Sequence, residues 1–108
     1  MAGEGNELAP DWPALSQLEG DLVRTLEERG VVRVEYVVAF APPFDLSIWL
    51  GTTTDEQRDS LAGEAAIDIL VRELGRKHGL LERIGYISIE SVETVIRDYD
   101  GSWFHRLR

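Results

Sequence analysis

The chain has 108 residues, a formal net charge of -9 and no cysteine. That length gives one domain and not two, and the missing cysteine excludes a disulfide framework, a zinc–thiolate centre, an iron–sulfur cluster and a cysteine nucleophile. Twenty Asp and Glu against eleven Lys and Arg argue against nucleic acid as a general partner, because phosphate attraction supplies most of that affinity.

Residues 1–10 combine Gly3, Gly5, Asn6 and Pro10 with two glutamates and have almost nothing to bury. They are expected to form a disordered acidic tail, with residues 11–108 as a single α+β domain. No stretch approaches the roughly 20 apolar residues of a membrane-spanning helix. The start of the chain lacks the basic and apolar run of a signal peptide. A cytoplasmic protein without a membrane partner is therefore expected. Ten of the eleven basic residues are arginine, a usage associated with GC-rich bacterial coding sequences.

The first helix is expected from about Pro13 to Arg29, with Asp11 as N-cap and Pro13 in the first turn. Leu15, Leu18, Leu22 and Leu26 repeat at spacings of 3, 4 and 4 and line one face. Gly30 follows as the stop. A strand from Val31 to Phe40 alternates, with Val32, Val34, Tyr36, Val38 and Phe40 on one side. Arg33, Glu35, Val37 and Ala39 take the other. After Pro42-Pro43, a second strand from Asp45 to Leu50 directs Leu46, Ile48 and Leu50 inward. The short connection predicts an antiparallel hairpin.

Thr54-Asp55-Glu56-Gln57 is a capping-box pattern. It opens a second helix that carries Ala66, Ile67, Leu70, Val71 and Leu74 and stops at Gly79-Leu80. Asp55 and Glu56 suit the positive end of its dipole, and Arg76, Lys77 and His78 the negative end. A third strand, Ile84 to Glu90, points Ile87 and Ile89 inward. Residues 91–100 read as a helical turn, since Val92, Val95, Ile96 and Tyr99 share a face. The alternative is a hairpin turned at Asp100-Gly101. A fourth strand is expected from Ser102 to about Leu107. The order α-β-β-α-β-β predicts a four-stranded, mostly antiparallel sheet with two helices packed on one face.

Neither a Gly-x-Ser-x-Gly elbow nor a His-Glu-x-x-His helix is present. Gly51-Thr52-Thr53-Thr54 precedes a helix but lacks the lysine and glycine spacing of a phosphate loop, and reads as a cap. Asp98 to Ser102 has its glycine too early for a calcium loop and reads as a turn. No metal or other cofactor is expected. His105, placed on the fourth strand beside Trp103, would need Asp98 or Asp100 folded back to make an acid–imidazole pair. That arrangement is the alternative reading: a small enzyme or ligand-binding protein with a site at Asp98, Asp100, Trp103 and His105.

The aromatic residues give the leading reading. If the helices cover one sheet face, the other presents Arg33, Glu35, Val37, Ser47, Trp49, Tyr86, Ser88 and one of Trp103 or Phe104. Tryptophan, tyrosine and arginine mixed on a flat surface are the composition of an interaction patch. The expected function is a non-enzymatic module that binds a protein partner or a second copy of itself as a homodimer. Trp49, Tyr86 and Trp103 would be its anchors, and Arg33 and Glu35 would set register. The competing expectation is that the helical turn, the C-terminus or the Pro42-Pro43 loop covers these aromatics.

Overall fold

A computed structural model describes residues 11–39 and 41–107, except the side chain of Phe104. The expected tail at residues 1–10 and the inward place of Phe40 lie outside the described residues.

Helix α1 spans Trp12–Leu26 and relaxes into a 3₁₀ turn at Glu27–Arg29. Asp11 caps it as expected, accepting the Ala14 N–H at 3.1 Å. Its four leucines are all buried, Leu22 completely. Gly30 then leaves in the left-handed conformation, φ 91°. Strand β1, Val31–Val38, pairs antiparallel with β2, Leu46–Thr52. The expected hairpin is present.

One detail of β1 departs from simple alternation. A bulge between Val31 and Arg33 takes up one residue. Val31 therefore points into the core at 1 % exposure and Val32 out at 54 %. Val34 and Tyr36 keep the expected side.

The region after Thr54 forms two helices instead of one: α2, Asp55–Ala62, and α3, Ala65–Lys77. The capping box at Thr54 is complete, with Gln57 N–H on Thr54 Oγ1 and Thr54 N–H on Gln57 Oε1, both at 3.1 Å. The break at Gly63-Glu64 has a packing cause. Leu61 and Ile67 are both buried in the same core, yet residues six apart lie on different faces of one continuous helix. A kink lets both point inward.

Strand β3, Ile84–Ser91, joins β2 in parallel and not antiparallel. The helical pair α2–α3 returns the chain to the starting end of β2, the long crossover that parallel pairing needs. Residues 91–100 adopt the expected helical turn, α4, Val92–Tyr99, capped by Ser91 Oγ on the Thr94 N–H. Asp100 and Gly101 have φ of 52° and 78°. They end α4, with Gly101 N–H on the Val95 carbonyl at 2.9 Å, instead of turning a hairpin.

Ser102 then caps a further single turn, α5, Trp103–Arg106. The expected fourth strand is not formed. The expected four-stranded, mostly antiparallel sheet with two helices on one face is thus corrected. Among the described residues the fold is α+β with a three-stranded mixed sheet, order β1-β2-β3, four helices of eight or more residues, and the short α5.

The main core lies between the sheet and α1 and α3. Leu15, Leu18 and Leu22 of α1 and Ile67 and Val71 of α3 pack with Val34, Ile48 and Leu50. His78 ties the two helices together, its Nε2 lying 2.6 Å from Asp21 Oδ2. Val95 and Trp103 are buried outside that cluster.

Candidate functional site

The face of the sheet away from α1 and α3 is ordered in three rows by the strand registers. Val37, Ser47 and Tyr86 form the first, Glu35, Trp49 and Ser88 the second, and Arg33, Gly51 and Glu90 the third. These are the side chains that alternation assigns to the open face. Arg33, Glu35, Trp49 and Tyr86 therefore do share a surface.

The C-terminal elements cover part of it. Gly51 has no side chain, and a Cβ there would lie 3.0 Å from Trp103 and 2.6 Å from Arg33 Cγ. The missing side chain is the seat of the indole. Trp103 is 7 % exposed. The Arg33 guanidinium stacks over its ring at 4.8 Å from the centroid, and Arg33 Nε donates to Glu35 Oε1 at 3.1 Å. Arg106 reaches back from α5 and lies 4.5 Å from the Trp49 ring centroid and 5.6 Å from that of Tyr99. Such stacking of a cation on aromatic faces contributes about 0.5–1 kcal/mol each where exposed.

Arg106 is positioned by Glu90, 4 % exposed. Glu90 Oε2 accepts Arg106 Nε at 2.5 Å, while Oε1 accepts Arg58 Nη1 and the Ser91 N–H, both at 2.9 Å. Burial pushes the Glu90 carboxyl up, and the hydrogen bonds from Arg106, Ser91 and Arg58 outweigh it, leaving the group below the ordinary glutamate range. Next to it, Asp55 accepts from Ser91 Oγ, from Thr94 Oγ1 at 2.8 Å and from Arg97 Nη1 at 3.1 Å. Those three donors hold its carboxyl well below the usual range. The cluster therefore locks α2, β3, α4 and α5 together at the carboxyl ends of the two parallel strands. Among the described residues, no buried side-chain polar atom lacks a partner. The network is closed, and its arginines are engaged by protein carboxylates.

The cover stops before the first row. Tyr86 is 76 % and Val37 43 % exposed, with half-buried Ser47 between them. The expectation of an open aromatic face and the expectation of a C-terminal cover each describe one part of the surface. The Trp103 and Trp49 end is roofed, and the Tyr86 end is bare.

The residues of the alternative site are not assembled on one strand face. Asp98 pairs with Arg97 Nε at 3.3 Å, and Asp100 is the exposed, left-handed C-cap of α4. In the helical α5, Trp103 points inward and His105 is exposed. Among the described residues, no three His, Asp or Glu side chains are grouped to hold a metal ion. A surface cavity of about 340 Å³ lies between the end of α1 and α2, lined by Glu28, Arg29, Gly30, Glu56, Gln57 and Glu64 among others.

Sequence reasoning missed Arg106, Glu90, Arg58 and Gly51. Gly51 carried a usable signal, since a glycine inside a strand marks close approach of another group. Ending the second strand at Leu50 hid it. The ion pairs join residues 16 and 32 apart, and nothing local marks them. Comparison with family models, with curated proteins and with solved structures finds no match for this chain.

Proposed function

We propose that the chain is a non-enzymatic protein-interaction module that presents the bare Val37–Ser47–Tyr86 row to a protein partner. The observation that carries this reading is Tyr86, a large aromatic side chain 76 % exposed on β3, in one row across Ser47 with exposed Val37. Exposed aromatics on a sheet hold large contact area at low entropy cost, and such residues dominate binding energy at protein interfaces. The roof of α5 supports the same reading. It fixes the neighbouring row through Arg106 and Trp49, so a partner meets a preorganised surface.

The test uses the full chain and its Val37→Lys/Tyr86→Lys double variant as baits in an extract of the source cells. Both side chains face water, so the variant is expected to fold like the parent by circular dichroism. A protein retained by the parent and lost from the variant is the expected result. Identical retained sets on the two baits would refute the reading.

A further inference from the structure

The outer edge of β1 offers a second surface, independent of the bare row. Ala39 N–H donates to the Asp45 carbonyl at 2.9 Å, continuing the β1–β2 register. Antiparallel pairing turns the backbone groups of alternate residues toward the partner strand. Residues 33, 35, 37 and 39 therefore face β2, and Val34, Tyr36 and Val38 turn N–H and C=O outward. Among the described residues, no hydrogen bond reaches those outward groups.

The other edge is treated differently. Arg72 of α3 donates to the carbonyls of Ile84 and Gly85 at the start of β3, both at 3.2 Å. Natural sheets commonly blunt an edge with lysine or proline. β1 has neither; five of its eight residues are valine, and its edge devices are the bulge at its start and the opposite charges of Arg33 and Glu35.

The charge pattern of the strand says what this edge fits. We infer that β1 pairs antiparallel with β1 of a second copy of this chain, about a two-fold axis at Val34. That register sets Arg33 of each copy opposite Glu35 of the other, so the Arg33–Glu35 pair within each chain is extended by two reciprocal ion pairs on one face. An axis at Glu35 would set Glu35 against itself, which is destabilising. An axis at Tyr36 would leave Arg33 and Glu35 opposite Ala39 and Val37, with only their ion pair within the chain and none across the seam. The bulge at Val32 ends the regular ladder and so bounds the slippage. The two three-stranded sheets become one continuous sheet of six. The two-fold makes the contact closed and isologous. The chain's charge of -9 opposes random association of copies, whereas Arg33 and Glu35 balance at this edge.

Sedimentation equilibrium and native mass spectrometry of the full chain test this, from micromolar to submillimolar concentration. The parent is expected at twice the 12.2 kDa of one chain. Arg33→Glu and Glu35→Arg each place like charges opposite one another, so each alone is expected to be monomeric. Mixed together they restore complementary pairs, so the heterodimer is expected. Tyr86→Lys, on the bare row, is expected to leave the dimer intact. This separates failure of edge pairing from failure of the partner reading. Arg33 also stacks on Trp103, so hydrogen exchange of the unmodified chain supplies a second measurement. The amides of Val34 and Tyr36, which this register sets opposite Val34 and Val32 of the other copy, are expected to slow as concentration rises. A monomeric parent, single variants that still dimerise, a mixture that does not associate, or concentration-independent exchange at those amides would each overturn the inference.

Discussion

Replacing Glu90 by glutamine keeps the shape of the side chain and removes its charge. Oε1 accepts Arg58 and the Ser91 N–H, and Oε2 accepts Arg106. An amide can reproduce the first oxygen, but its NH₂ then faces the Arg106 guanidinium, donor against donor. Arg106 is expected to swing into water and leave Trp49 and Tyr99. A hydrogen bond to a charged group contributes about 1.5–3 kcal/mol. The Arg106 side chain is already 26 % exposed, and screening by solvent sets the expected loss near the lower end, about 1.5 kcal/mol.

Urea unfolding followed by tryptophan fluorescence and by far-ultraviolet dichroism measures this loss. The fluorescence of the folded state should change as Arg106 departs, while the sheet signal stays. The pH dependence has a definite sign. The Glu90 pKa is lowered in the fold, so its stabilising effect is complete above the unfolded value, about 4.3, and is lost as pH falls through the folded value. The gap between parent and variant should be flat near neutrality and close in acid. A difference below about 0.5 kcal/mol, the scale of a neutral surface change, would refute the role given to Glu90. So would a gap that widens in acid.

Gly51→Ala introduces a Cβ 2.6 Å from Arg33 Cγ and 3.0 Å from the Trp103 ring. Overpacking of this kind costs about 1–3 kcal/mol, and the quenching of Trp103 by its neighbours should change in the same titration. Asp21→Asn weakens the α1–α3 tie, because the His78 hydrogen bond, with Lys77 and Arg24, holds the Asp21 carboxyl below its ordinary value against the effect of burial. Its melting temperature should fall below the parent's at neutral pH and converge with it in acid, followed by dichroism, since a depressed carboxylate pKa stabilises only above it. Leu22→Ala removes a fully buried side chain and should cost about 3–5 kcal/mol in urea unfolding.

The first half of the fold was legible because its signals are local. Asp11, the leucine repeat, Gly30 and the Thr54 capping box each act within a few residues of themselves. Strand alternation is a local rule too, and it places Arg33, Glu35, Trp49 and Tyr86 on one face. The direction of β3 was not legible. It depends on where α3 delivers the chain, which is a matter of packing. Asp100-Gly101 misled, because the same left-handed pair serves a hairpin or a helix end, and α4 before it decides between them. Locally, Asp55 reads only as a helix-dipole charge and Glu90 only as the end of a strand; their partners Arg97, Arg58 and Arg106 are distant in sequence.

Parallel pairing of β2 and β3 also sets an order of assembly. Helix α1 and the β1–β2 hairpin need only short loop closures. Strand β3 joins across the 31 residues from Thr53 to Arg83, at a larger entropy cost. The roof of α5 depends on Glu90, at the far end of that strand. The hairpin is therefore expected early in folding and the aromatic roof late, with Gly51 and Trp49 uncovered until the last helices dock. Loss of the final residues would leave the central strand in place but expose its tryptophan, turning a half-covered face into an adhesive one.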